Sequence, residues 1–211
     1  MSSSRLSLSS ALGMMLCICA ALSAQEHHPD LTIIDVLEAL VEEVESRRDE
    51  LERDVCLRYE LVDRRIEPHF DLLASSHMIL GREIWQGETE ATQDRFLTAF
   101  YRWLLASYGD LVVHFEADTL VVQRLEEVPT NRVHTLRNAV LTRNDRSKER
   151  VDLVMFHRQM KWRIVDIIYG GVSLAEDYEA EFLSQIREIG FGGLIDRLVR
   201  EAAPRLEECG L

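Results

Sequence analysis

The spacing of the apolar residues changes partway along this chain of 211 residues, and that change limits the fold more than any other feature. Up to Tyr108 the apolar positions recur every three or four residues. Ile33, Leu37, Leu40, Val41 and Val44 make one helical stripe. Phe96, Phe100, Trp103, Leu104 and Tyr108 make another, the strongest amphipathic signal in the chain. Beyond it, residues 118–126, 132–142, 149–158 and 161–170 read as four strands. Pro129-Thr130-Asn131, Asn144-Asp145-Arg146-Ser147 and a tight Gln159-Met160 separate them. Consecutive strands with short links form an antiparallel meander. In the third strand both alternate sets are largely apolar: Val151, Leu153 and Met155 against Val154 and Phe156. Such a sheet is covered on both faces, or covered on one and lines a cavity with the other.

Local signals place the element ends. Thr32 and Asp35 have capping-box spacing before the first stripe. A second helix spans residues 55–66, and Pro68 breaks or kinks the chain just after it. A third runs from about Phe70 to Leu80 and is stopped by Gly81. Gly87-Glu88-Thr89 is a turn and N-cap for the aromatic helix. Gly170-Gly171 closes the last strand, and Ser173 with Glu176 opens a helix that stops at Gly190. Gly192-Gly193 precede a short final helix carrying Leu194, Ile195, Leu198 and Val199. The class is α+β, with a helical N-terminal half, an antiparallel sheet and closing helices.

Residues 1–23 stand apart. Arg5 is their only charge, Leu6 to Leu22 is mostly apolar, and Ala21 and Ser23 supply small residues at a cleavage site. This pattern predicts a secretory signal peptide removed after Ser23, leaving residues 24–211 as a single domain. Removal takes out Arg5 and no acid, so the net charge moves from −13 to −14. That charge excludes nucleic acid as a partner, since phosphates need a basic face. It also disfavours electrostatic adhesion to anionic lipid, so a bound lipid has to be held mainly by apolar contact. Only Cys56 and Cys209 remain after cleavage, able either to pair or to stay as thiols.

Signatures of catalysis are missing. The seven His and the remaining Cys show no zinc-ligand spacing, and there is no phosphate-binding Gly loop or nucleophile elbow. No metal and no cofactor is expected. Glu67, His69 and Asp71 cluster around Pro68; one reading makes them acid/base groups, the simpler one a polar helix start. Asp166 interrupts the apolar run Trp162 to Ile168. A carboxylate there usually bonds backbone amides or an Arg and fixes a strand end. A rival reading makes Asp166 or His157 the base of an enzyme, and another makes the chain a structural module with a solid core.

Several stretches, taken together and in order, resemble one family. They are Ile66 with Pro68-His69-Phe70-Asp71, Ile79-Leu80-Gly81, Trp85, then Thr89, Gln93, Phe96, Phe100, Leu104 and Tyr108. The second half adds Trp162 to Ile167, Gly171-Val172-Ser173-Leu174, Tyr178, Phe182 and Gly190 to Ile195. This set is similar to the MlaC family, also called the toluene-tolerance auxiliary-component family. The resemblance implies a twisted four-stranded antiparallel sheet wrapped by helices, with an apolar lipid pocket between them. It implies a non-enzymatic periplasmic carrier, a monomer, with phospholipid as cargo. Its partners would be an outer-membrane MlaA-type lipoprotein complex and an MlaD-type MCE protein of an inner-membrane ABC transporter, and it would meet membranes through them. The residues expected to line the pocket are Leu73, Phe96, Phe100, Leu104, Tyr108, Leu153, Met155, Val165, Ile167, Tyr169 and Val172.

Overall fold

Pro29, with φ preset and no N–H to satisfy, opens the first helix, α1 (Pro29–Ser46). The structure, a computed structural model, describes residues 28–114, 122, 125, 129, 131–144 and 147–211. The expected export signal lies outside these residues, as does the expected strand 118–126 apart from Val122 and Leu125. The expected capping box at Thr32 and Asp35 does not start α1. Thr32 lies inside the helix, and its hydroxyl donates back to the His28 carbonyl at 3.3 Å. Proline one turn earlier has already set the helical φ.

Two short helices come next, α2 (Arg48–Arg53) and α3 (Val55–Arg65). Asp54 caps α3 by accepting from the Cys56 and Leu57 amides. Pro68 ends this run inside a 3-10 turn, Glu67–His69. Asp71 then caps α4 (Leu72–Gly87), accepting from the Ala74 amide. Gly81 stops the first segment of that helix, as its sequence suggests: at φ +71° and ψ 162° its backbone is not helical, and a second helical segment follows to Gly87. Thr89 caps α5 (Glu90–Tyr108) as expected, and a 3-10 segment Gly109–His114 comes after it. Gly109 is there for space, because a Cβ would come within 2.7 Å of the Tyr59 ring.

The sheet is an antiparallel meander of β1 (Val133–Asn144), β2 (Ser147–Arg158), β3 (Lys161–Tyr169) and the two-residue β4 (Val172–Ser173). Its fourth strand is thus the segment after Gly170-Gly171, which reads in the sequence as a strand exit. Gln159 and Met160 form the β2–β3 turn with φ +51° and +64°, the left-handed pair of a two-residue hairpin. Neither is Gly or Asn, so each carries a cost on the order of 1 kcal/mol. Register shifts occur in β1 between Leu136 and Val140, and in β2–β3 between Val154 and Met155. Bulges of this kind increase twist and bend the sheet. The open edge of β3 is covered by the start of α4. Phe70 bridges Ile164, the Asp71 amide donates to the Ile164 carbonyl at 2.9 Å, and the Ser75 hydroxyl donates to the Val165 carbonyl at 2.8 Å.

Ser173 caps α6 (Leu174–Leu206), accepting from the Glu176 amide. This helix kinks at Gly190, φ +75°, and resumes. The expected stop at Gly190 is thus present, since its backbone at φ +75° and ψ 168° is not helical, and a second helical segment follows it to Leu206.

Apolar burial falls into separate patches. The largest joins α4, α5 and α6 through Phe96, Phe100, Tyr178, Phe182 and Phe191, whose rings stack or meet edge to face at 5.3–6.3 Å. A second joins α1 to the sheet. The far end of α1 packs with Leu51, Leu61 and Val112. Tyr59, Leu105, Ala202 and Leu206 form the last patch, beside a disulfide between Cys56 and Cys209 with Cα atoms 5.2 Å apart.

Candidate functional site

The patch between α1 and the sheet is the site candidate, because there the apolar residues of a helix and of the strands meet. Ile33, Leu136, Leu153, Met155, Trp162 and Ile164 are buried in it. Leu37, Phe70, Val122, Leu125, Val151 and Ile167 pack against it and are partly buried. Partly buried apolar side chains around a buried apolar floor are what an aliphatic ligand would cover.

The strand register explains which side chains meet there. Met155 lies opposite Ile164, Leu153 opposite Ile167, and Val151 opposite Tyr169. Between the first two pairs Val154 faces Asp166, so Val165 is the additional residue of a bulge. Simple alternation would put Val165 with Ile167. The bulge instead puts Ile164 and Ile167, three residues apart, on one face. Val165 is buried outside this patch.

The residues expected from the sequence are accordingly divided. Leu153, Met155 and Ile167 belong to the α1–sheet patch, and Tyr169 borders it in register with Val151. Phe96, Phe100, Leu73 and Leu104 belong to the three-helix patch, the first two fully packed and the others half-buried. Tyr108 is exposed at the end of α5, its hydroxyl bonded to that of Tyr178. Burial, and then this bond, push the Tyr178 phenol above its usual range. Tyr169 and Val172 pair across β3 and β4 and are both exposed.

The sequence alone does not assign Ile33, Leu37, Trp162 or Ile164 to the site. The α1 stripe is visible as a period, but its partner surface is not. Ile164 is hidden by the bulge, which leaves no mark in the alternation.

Two buried carboxylates near the patch are held by backbone donors. Asp166 is buried and accepts from the Ile167 amide at 2.8 Å, the Ala175 amide at 2.9 Å and the Ser173 hydroxyl at 2.6 Å. That arrangement matches the strand-end clamp expected for it. Asp30 is buried at the start of α1 and accepts from the Leu125 amide at 3.0 Å. It thereby ties the helix to the segment before β1. His157 lies against Trp162, the rings tilted by 34° with centroids 4.9 Å apart. Among the described residues no three His, Cys, Asp or Glu side chains converge as metal ligands. No helix among them is long and apolar enough to cross a membrane.

Comparison with known proteins gives a consistent fold. The family model described as MlaC protein matches residues 35–200. A solved structure, the phospholipid-binding protein from Ralstonia solanacearum in complex with a phospholipid, superimposes with a TM-score of 0.74. The two sequences are 20% identical, and the match covers 84% of this chain and 98% of that one. No curated protein matches the sequence.

Proposed function

The chain belongs to the MlaC family, and from that premise we propose that it is a periplasmic phospholipid carrier and not an enzyme. The observation that carries this reading is the α1–sheet patch. Its buried floor of Leu153, Met155 and Ile164 and its partly buried rim of Leu37, Phe70 and Ile167 suit acyl chains. Burying aliphatic surface there is worth about 25 cal/mol per Å² before ordering costs. Phospholipid bound to the similar Ralstonia protein supports the same cargo class. Residues 1–23 act as a cleaved export signal in this reading. The carrier moves glycerophospholipid between an MlaA-type outer-membrane complex and an MlaD-type inner-membrane transporter, and so serves outer-membrane lipid asymmetry. Release then needs a partner that opens the site or competes for the lipid.

Of the eleven residues expected to line the pocket, Leu153, Ile167 and Tyr169 contact the chains directly, and Met155, fully buried, lies behind them. Leu73, Phe96, Phe100, Leu104, Tyr108, Val165 and Val172 support or border the walls. The test is organic extraction of natively purified protein followed by lipid mass spectrometry. Stoichiometric phospholipid is the expected result. None, even after incubation with liposomes and partner, would sink the reading.

A further inference from the structure

The end of the sheet that carries the β2–β3 turn differs in charge from the rest of the molecule. The chain holds 37 acidic against 24 basic side chains, yet between His157 and Ile164 every charged residue is a cation: Arg158, Lys161 and Arg163. Arg158 lies opposite Lys161, and Arg163 opposite Phe156, so the three share one face of the hairpin. Arg132 lies at the same end, its carbonyl accepting from the His157 amide at 2.7 Å. His69 is held below the usual imidazole range by burial first, then by the nearness of Arg163 and Lys161. Asp71 lies 3.7 Å from Arg158. Asp71 is buried and already engaged as the cap of α4.

Two apolar side chains project at the same end. Met160 is 54% exposed at the turn and Val133 is 55% exposed at the start of β1. Met160 occupies a left-handed position where a hairpin ordinarily carries Gly or Asn. The turn thus holds a large apolar side chain outward between cations, at a conformational cost. Cations beside an exposed apolar tip are the pattern that rests on an anionic bilayer, with charges on phosphates and the apolar group at the acyl boundary. An acidic protein partner fits less well, since a stable protein interface takes about 800 Å² from each side and a hairpin tip offers little area.

We propose that the β2–β3 end docks directly on bilayers bearing anionic phospholipid head groups, with Arg158, Lys161 and Arg163 on phosphates and Met160 in the interface. The acidic remainder of the surface is repelled, so the molecule meets such a bilayer in one orientation. This goes beyond the carrier reading, and the two fail separately.

Co-sedimentation of the full chain with vesicles tests it, using phosphatidylcholine alone and phosphatidylcholine mixed with phosphatidylglycerol. Wild type is expected to bind the mixed vesicles at low salt, to bind the neutral ones poorly, and to be released by salt. Each cation lost should weaken binding roughly fivefold, so the triple variant R158Q/K161Q/R163Q should fall by well over tenfold. Met160→Asp, at an exposed turn, should fall severalfold with the thermal transition unchanged. Equal binding of wild type to both vesicle types, or triple-variant binding equal to wild type, overturns the proposal. Binding only to an acidic protein partner overturns it as well. Bound cargo is measured on the same samples. Loss of cargo in wild type with vesicle docking intact would remove the carrier reading alone.

Discussion

Asp166 accepts a hydrogen bond from the Ser173 hydroxyl at 2.6 Å, joining the end of β3 to the residue that opens α6. The same carboxylate takes the Ala175 amide, so it also satisfies the first turn of the helix. Ser173 in turn accepts from Glu176. A strand, a two-residue edge strand and a helix of 33 residues are fixed by one buried acid. Replacing it with Ala leaves two amides and a hydroxyl without this partner, at about 1–3 kcal/mol for each group that stays buried. Asp166→Ala is expected to lose about 3 kcal/mol in urea unfolding, and Asp166→Asn, which keeps one acceptor oxygen, less. An unchanged midpoint would remove the clamp.

Glu43 gathers three arginines. It accepts from Arg65 at 2.9 Å and Arg47 at 3.3 Å, and Arg64 binds both of its oxygens. The Arg64 bond does most to lower its carboxyl pKa, to about 2; burial opposes this, and Arg65 adds to it. A carboxylate depressed on folding contributes stability above its unfolded pKa, and the contribution is lost as pH falls through the folded value. The arginines are largely exposed, which weakens the pairs through solvent screening. Glu43→Gln is expected to cost about 1–2 kcal/mol at pH 7. The gap from wild type should close between about pH 4.5 and pH 2. Urea unfolding of both proteins across that range checks the sign, and a constant gap would contradict it.

How much of the fold is legible in the sequence depends on how local each cause is. Thr89, Ser173 and the Gln159-Met160 turn act within four residues, and each lies where its spacing places it. The periods of α1 and α5 also hold, because one packed face suffices to create them. Gly81 and Gly190 are legible too: each, at positive φ, breaks the helical backbone where the sequence places a stop. The site is less legible. Phe100 and Ile167 look alike as large apolar residues, yet they lie in different patches. The bulge at Val165 shifts β3 by one residue, and that reassigns every side chain beyond it.

Cys56 and Cys209 form a disulfide that ties the start of α3 to the C-terminal 3-10 turn across 153 residues. The sequence leaves pairing open, since two thiols carry no connectivity signal beyond their number. A crosslink closing so long a loop restricts the unfolded chain, typically by about 2–4 kcal/mol and at most about 5. The double variant C56S/C209S should fold but unfold at lower urea concentration by that amount. Mass spectrometry after alkylation without reductant should find neither Cys modified. Two alkylated thiols in native oxidised protein would refute the bridge.

Phe100 and Ile167 separate packing from cargo. Phe100 is enclosed by Phe96, Trp103, Tyr178 and Phe182, with 2% of its surface exposed. Phe100→Ala removes a ring from the centre of α4, α5 and α6 and is expected to cost about 3–5 kcal/mol. Ile167 is half-buried at the rim of the α1–sheet patch, where a polar side chain can reach solvent. Ile167→Asn should therefore cost less, about 1–2 kcal/mol, while placing an amide where acyl chains lie. Each variant is assayed twice, by urea unfolding and by phospholipid extracted per mole of folded protein. The expected pattern is a crossover. Phe100→Ala loses stability and keeps most of its lipid at low temperature, whereas Ile167→Asn keeps its fold and loses lipid. If the folded Ile167 variant retains a full complement, the acyl chains lie in some other layer of the molecule.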